Sequence, residues 1–172
     1  NREATEETVD SDGWLHTGDI GEIDQEGFIR ITDRLKNIIV TAGGKNIAPA
    51  PIENAAALSP FVEQAVMIGD RRPFPALLVV PDFENLKNWA TQNGITDTDR
   101  AALASNPKVH AKLEQETLGS LTGFARYEMP KKIAVVSEEM TVGTGELTPS
   151  LKVKRRVVEE KYADLIEGIY SE

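Results

Sequence analysis

A chain of 172 residues, 40% hydrophobic and 27% charged, has room for one compact domain with an appendage and the ordinary composition of a globular protein. No apolar run approaches the ~20 residues that span a bilayer, and the absence of cysteine excludes disulfides, thiolate metal sites and a cysteine nucleophile. The net charge of −9 is uneven: residues 1–35 hold ten acids against three bases and residues 36–172 eighteen against sixteen, which argues against a general nucleic-acid surface.

Residues 1–12 carry Val9 as their one large apolar side chain and read as an extended or loose acidic leader. Ile20–Asp24 and Gly27–Thr32 alternate apolar and polar residues around a turn-rich Asp24–Gly27, which predicts a β-hairpin. Asn37–Thr41 predicts a short third strand. Pro49 and Pro51 open a helix over Ile52–Leu58, because proline suits a first helical turn, and Ser59-Pro60 ends it. Phe61–Gly69 and Phe74–Pro81 read as a strand pair joined by the turn Asp70–Pro73. The second is the most apolar run of the chain and the expected central strand. Asp82 is placed to cap a helix over Phe83–Gln92 that ends at Asn93-Gly94. Asp97 is placed to cap a short helix over residues 98–104, and Asn106-Pro107 to start another over Lys108–Thr122. Ile133–Val136 is a strand. Lys154–Tyr170 reads as one final helix with Val157, Val158, Tyr162, Leu165, Ile166 and Ile169 as its apolar stripe. The pattern predicts an α+β fold: a small β-sheet covered by helices and preceded by a β-hairpin.

Four groups of polar residues call for a reading beyond the core. Asp19 follows a glycine turn in Thr17-Gly18-Asp19, where a carboxylate can accept hydrogen bonds from two neighbouring hydroxyls, as in a ribose; a plain turn aspartate is the alternative. Arg34, in Asp33-Arg34-Leu35-Lys36, has the fixed geometry that suits phosphate or ribose oxygens; a surface ion pair is the alternative. Gly43-Gly44-Lys45 exposes backbone N–H groups but lacks the P-loop spacing, and a tight turn explains it equally. Lys152, Lys154, Arg155 and Arg156 form a basic cluster that otherwise reads as a solvated face. His16 reads as structural and Trp14 as packing.

Taken in this order, Gly13–Gly21, Arg30–Pro49 and Leu147–Arg156 resemble the adenylate-forming acyl-CoA synthetases, and among them the long-chain fatty acid–CoA ligases. The resemblance covers nearly the whole chain but only the C-terminal part of such an enzyme. It implies that Asp19 binds the ribose of ATP or AMP, that Arg34 contacts the nucleotide and that Lys36 is the hinge of a rotating domain. It implies further that Gly43 and Gly44 line the channel for the pantetheine arm of CoA, with Lys45 near the CoA phosphates, and that Lys152 is the adenylation lysine. The glycine that usually precedes this lysine is Leu151 here, a departure shared with the fatty acyl branch, as is Asp33. The helical stretch 84–125 is similar to that branch too.

The resemblance then divides the chain into residues 1–35, the end of the large N-terminal adenylation domain, and residues 36–172, a mobile C-terminal domain. ATP and CoA are the implied co-substrates and a fatty acid the acyl donor, with Mg2+ bound mainly by the missing N-terminal domain. The principal partner is that domain. The implied location is cytoplasmic, with membrane contact only peripheral. Because the chain opens on Asn1 without an initiator methionine, it reads as an excised piece, inactive alone. Two other readings stay open: another adenylate-forming ligase, acting on an aryl acid or loading a carrier protein, and a stand-alone binding domain with the same fold.

Overall fold

The computed structural model describes residue 5 and residues 8–171. Half of the leader expected over residues 1–12 therefore lies outside the described residues. Its end is not extended: Val9 bridges Leu15, and the Asp10 carboxylate closes the turn by accepting from the backbone N–H groups of Asp12 and Trp14 at 3.0 and 2.9 Å. The expected hairpin follows as β1 (Asp19–Ile23) and β2 (Ile29–Arg34), antiparallel.

The third strand differs from expectation. Leu35–Asn37 is a single 3₁₀ turn, and β3 (Ile39–Val40) pairs with β4 (Asn46–Ile47), a strand the sequence pattern did not signal. The intervening Thr41–Lys45 closes on itself: Thr41 N–H donates to Lys45 O at 3.0 Å and Gly44 N–H to Thr41 O at 2.8 Å. The strand is therefore confined to Ile39–Val40 inside the expected Asn37–Thr41, because Thr41 is taken up by the turn.

The core forms around β5 (Val62–Ile68), β6 (Ala76–Pro81) and β7 (Ile133–Val135), in spatial order β5-β6-β7. The first pair is antiparallel and the second parallel. All of β6 is buried, as a strand covered on both faces requires. Its period of two divides the core. Leu77 and Val79 join Met67, Ile133 and Val135 under α1 (Pro49–Ala56), α2 (Phe83–Gln92), α3 (Arg100–Ser105) and α4 (Pro107–Ser120). Ala76, Leu78 and Val80 join Val66, Ile68 and Met140 under α5 (Arg155–Lys161) and α6 (Ala163–Tyr170). Each fully buried leucine of β6 contributes about 2–3 kcal/mol of burial.

The α2 boundaries fall where expected, with the Asp82 carboxylate accepting from Glu84 and Asn85 N–H. The cap of α3 is Asp99, not Asp97; Asp97 instead accepts from Asp99 N–H and sets up the turn. The final helix is broken at Tyr162, whose φ of −105° and ψ of 25° leave the helical region. The break lies beside Lys161, whose ammonium turns inward to pair with the fully buried Glu146.

One cap comes from far away in sequence. Ala48, at the start of α1, offers no capping side chain. Asp33 of β2 supplies it: its Oδ2 accepts from Ala50 N–H at 3.1 Å, while its Oδ1 accepts from Arg34 N–H and Asn37 Nδ2. The carboxylate is buried against the positive end of the helix, where Pro49 and Pro51 carry no N–H and Ala50 holds the first-turn N–H that would otherwise lack a partner. Asp33→Ala should lower the stability of the 172-residue chain by about 1 kcal/mol while leaving unfolding cooperative. Urea unfolding followed by far-UV circular dichroism checks this, and an unchanged midpoint would contradict it.

Candidate functional site

A cleft of about 1180 Å³ opens between the end of β2, α1, β5 and the segment 139–155. It gathers Arg34, Lys36 and Lys152, three of the residues singled out from the sequence. Lys152 rides on a short hairpin closed by the Leu147–Val153 bridge. Within it Thr148 N–H donates to Lys152 O at 2.8 Å and Lys152 N–H to Thr148 Oγ1 at 3.0 Å. Leu151 has φ +59°, the left-handed region that a glycine occupies without strain. Leucine thus keeps the backbone shape that glycine would give. Among the described residues the Lys152 ammonium has no ion-pair partner, and its side chain is exposed toward the cleft.

The basic cluster does not act as one patch. Arg156 pairs with Glu160 one turn away in solvent. Lys154 N–H donates to Glu146 O at 2.7 Å. Arg155 turns inward: Nη2 meets Glu53 Oε1 at 2.8 Å, and Nη1 donates to the backbone carbonyl of Met67. Glu53 Oε1 also accepts from Met67 N–H at 2.7 Å. Both side chains are largely buried, at 21% and 14% exposure. This node ties α5, α1 and β5 together three residues from Lys152. The spacing carries a signal that finds it: 155, 158, 162, 166 and 169 recur at three and four, which puts Arg155 on the same inward stripe as Val158.

Glu146 is the other residue that the sequence reading missed. It is fully buried, and Lys161 Nζ is its ion-pair partner. Burial pushes its carboxyl up, but hydrogen bonds from Lys161 and Thr144 outweigh that and hold its pKa at about 2. Its backbone carbonyl anchors Lys154 at the foot of the Lys152 hairpin.

Asp19 and Arg34 sit opposite each other across the β1–β2 ladder and pair through Arg34 Nε and Asp19 Oδ1 at 2.8 Å. Of the two, Arg34 lines the cleft. Lys36 is exposed in the 3₁₀ turn at the cleft margin. His16 pairs with Asp10 Oδ2 at 3.0 Å, a structural contact. Trp14 does not pack as expected; it is 73% exposed.

Gly43, Gly44 and Lys45 lie outside the cleft, in the β3–β4 turn. Their two glycines differ in physical character. Gly44 has φ +72°, so the turn itself asks for glycine. A Cβ on Gly43 would meet only Thr41 Oγ1, at 4.0 Å, so nothing within this domain requires glycine there. Lys45 Nζ lies 5.6 Å from the centre of the Tyr127 ring. Among the described residues no three His, Cys, Asp or Glu side chains cluster so as to hold a metal ion. No helix among them is long and apolar enough to cross a membrane.

A small mixed sheet between two helical layers, preceded by a hairpin, is the fold of adenylate-forming enzyme domains. The adenylation domain of carboxylic acid reductase from Segniliparus rugosus, solved with AMP and a co-purified carboxylic acid, superimposes with a TM-score of 0.80 at 25% identity, over 99% of this chain and 25% of that one. Residues 36–172 match the family model of the AMP-binding enzyme C-terminal domain, and the chain belongs to that family. A long-chain-fatty-acid–CoA ligase of Mycobacterium tuberculosis is 41% identical over 172 residues, covering 99% of this chain and 28% of its own length. A peroxisomal long-chain acyl-CoA synthetase of Arabidopsis thaliana is 40% identical over 171 residues, covering 98% of this chain and 24% of its own. The chain thus spans about a quarter of the length of these relatives.

The Glu146 carboxyl generates an acid dependence. Its folded pKa lies below the ordinary 4.5, so its contribution to stability is complete above about pH 4.5 and is lost as pH falls toward 2. Glu146→Gln should remove that part of the acid limb, as read from unfolding midpoints across pH 2 to 6. An identical acid limb in the variant would show that the buried pair does not carry it.

Proposed function

We propose that this chain is the C-terminal part of an ATP-dependent, AMP-forming long-chain fatty acid–CoA ligase. Residues 1–35 end the N-terminal adenylation domain, and residues 36–172 turn as a unit about Lys36. The observation that carries the reading is the shared cleft: an unpaired Lys152 ammonium faces the same space as Arg34 and Lys36, while the Gly43 turn lies outside it. The exposed apolar side chains of the hairpin, Phe28, Ile29 and Ile31 among them, support its belonging to a larger body.

In the first half-reaction a carboxylate oxygen of the fatty acid attacks the α-phosphorus of ATP, the bond to the bridging oxygen breaks, and pyrophosphate leaves. Lys152 stabilises the negative charge that gathers on the carboxylate and α-phosphate oxygens. Arg34 and Asp19 hold the nucleotide. In the second half-reaction the CoA thiol loses its proton and attacks the acyl carbonyl, and AMP leaves. Gly43 and Gly44 line the path of the pantetheine arm, and Lys45 meets the CoA phosphates. The acyl pocket belongs to the N-terminal domain, so the chain alone does not complete the reaction. Mg2+ would be held there as well. The likeness to an A-PCP didomain of carboxylic acid reductase, with a TM-score of 0.77 at 27% identity, supports a second reading in which the thiol acceptor is a carrier protein.

In the full-length ligase, Lys152→Ala should reduce acyl-adenylate formation on the order of a hundred- to a thousandfold and spare CoA transfer to supplied acyl-adenylate. Gly43→Leu should do the reverse without unfolding the domain, since the position is open. Lys154→Ala, on the solvated side, should change neither half-reaction appreciably. Pyrophosphate release and acyl-CoA yield, measured separately, check all three. Parallel loss of both half-reactions in the Lys152 and Gly43 variants would defeat the reading.

A further inference from the structure

We propose that Arg72 is a positioning residue for the Gly43 turn, and that it holds this turn in register for CoA transfer. The inference rests on the reading of that turn as part of the CoA path.

The ribbon that carries Gly43 is short. Only Ile39–Ile47 and Val40–Asn46 pair across it, and two strands of this length do not hold a fixed geometry by themselves. Its anchor is the turn between β5 and β6. Ala42 N–H donates to Arg72 O at 2.9 Å, Arg71 N–H to Val40 O at 2.8 Å, and Val40 N–H to Asp70 Oδ1 at 3.1 Å. Three bonds therefore lace the residues on the near side of Gly43 to Asp70, Arg71 and Arg72.

That turn is itself unusual. Arg71 has φ +57°, which a non-glycine residue rarely adopts, and its side chain points into solvent with little to hold it. The restraint comes from the next residue. Both Nη atoms of Arg72 donate to the Glu167 carboxylate of α6, and the guanidinium lies 4.9 Å from the centre of the Tyr170 ring. Tyr170 is fixed in turn: its hydroxyl donates to Phe74 O at 3.0 Å, and its ring lies 5.0 Å from that of Phe74. A two-pronged bond to a carboxylate, backed by an aromatic face, sets an arginine in one orientation in a way that a single-point ammonium does not. The guanidinium thus links the last helix to a strained turn, and that turn to the backbone beside Gly43. Arg72 lies outside the cleft of Lys152 and touches no residue of the proposed adenylation site, so its influence falls on one half-reaction.

The test uses the full-length ligase with Arg72→Met, Arg72→Lys and Glu167→Gln, and with Gly43→Leu as the reference for the turn. Arg72→Met should lower kcat/KM for CoA with supplied acyl-adenylate roughly ten- to a hundredfold, the scale of a misplacement of about 1 Å. Acyl-adenylate formation from ATP and palmitate should stay within about twofold. Glu167→Gln should shift the same constant in the same direction, and Arg72→Lys should recover part of the loss. A purely structural role would lower both half-reactions together, and that result would overturn the inference. CoA transfer left intact in Arg72→Met, while Gly43→Leu blocks it, would also overturn it and leave the reading of the turn standing. Should Gly43→Leu itself leave CoA transfer intact, the turn is not in the CoA path, and both fall.

Discussion

The contact on which the rest of the molecule depends is the insertion of Arg155 between Glu53 and Met67. It joins residues 102 and 88 positions apart, and it decides where the chain runs after the Lys152 hairpin. The arrangement works because the two charged side chains and the Met67 backbone satisfy one another. Glu53 accepts from both the guanidinium and Met67 N–H, and Arg155 also satisfies the Met67 carbonyl. Removing either charged partner would strand the other in a largely buried setting, which costs more than the pair contributes when intact. The Lys152 hairpin sets Leu147 and Val153, at its base, against the apolar core. Its position follows from this node at one end and from the buried Glu146–Lys161 pair at the other.

Met67 makes the same node relevant to the second proposed working surface. Two residues beyond it the chain leaves β5 at Gly69 and enters the turn that laces the Gly43 ribbon. Lys152 and Gly43 are thus hung from one strand, and that strand is buried through Val66, Met67 and Ile68 between two helical layers. A packed sheet of this kind does not bend to bring one loop forward and withdraw the other. If both loops serve one adenylate, as proposed, they exchange by turning the whole domain. On that proposal the change would fall on the exposed 3₁₀ turn at Leu35–Asn37, which buries no residue, and would release the bonds of Asp33 to Asn37 and Ala50 that span it.

What was legible in the sequence is what local chemistry decides. The hairpin, the continuous apolar run of β6 and the Asp82 cap of α2 each rest on residues within a few positions of one another, and each stands where expected. The misses share a cause of the opposite kind. Asp33 caps α1 from 17 residues away, and Arg155 reaches Glu53 across the fold, so neither partner shows in a window of sequence. The basic cluster looked uniform because charge was counted without direction; helical spacing sends Arg155 inward and leaves Arg156 in solvent. The break at Tyr162 lies beside Lys161, whose buried partner Glu146 is 15 positions away and does not show in a local window either. At the site, Leu151 looked like a departure from glycine, yet it holds the left-handed conformation that glycine would supply. For the remaining predicted residues the sequence named chemistry and the fold supplied company: Arg34, Lys36 and Lys152 meet in one cleft, and Gly43 and Gly44 do not join them.

The most direct test is a distance measured across Lys36. Cysteines introduced at Glu26, on the hairpin loop, and at Thr91, on the exposed side of α2, give two label sites in a chain that has no cysteine of its own. The full-length protein, freed of any other cysteine and spin-labelled at both, is examined by double electron–electron resonance with a non-hydrolysable acyl-adenylate analogue, then after addition of CoA. The account predicts two separated distances whose populations exchange on adding CoA, with Lys36→Pro holding the first. A single distance, unmoved by CoA, would contradict a domain that turns as one body.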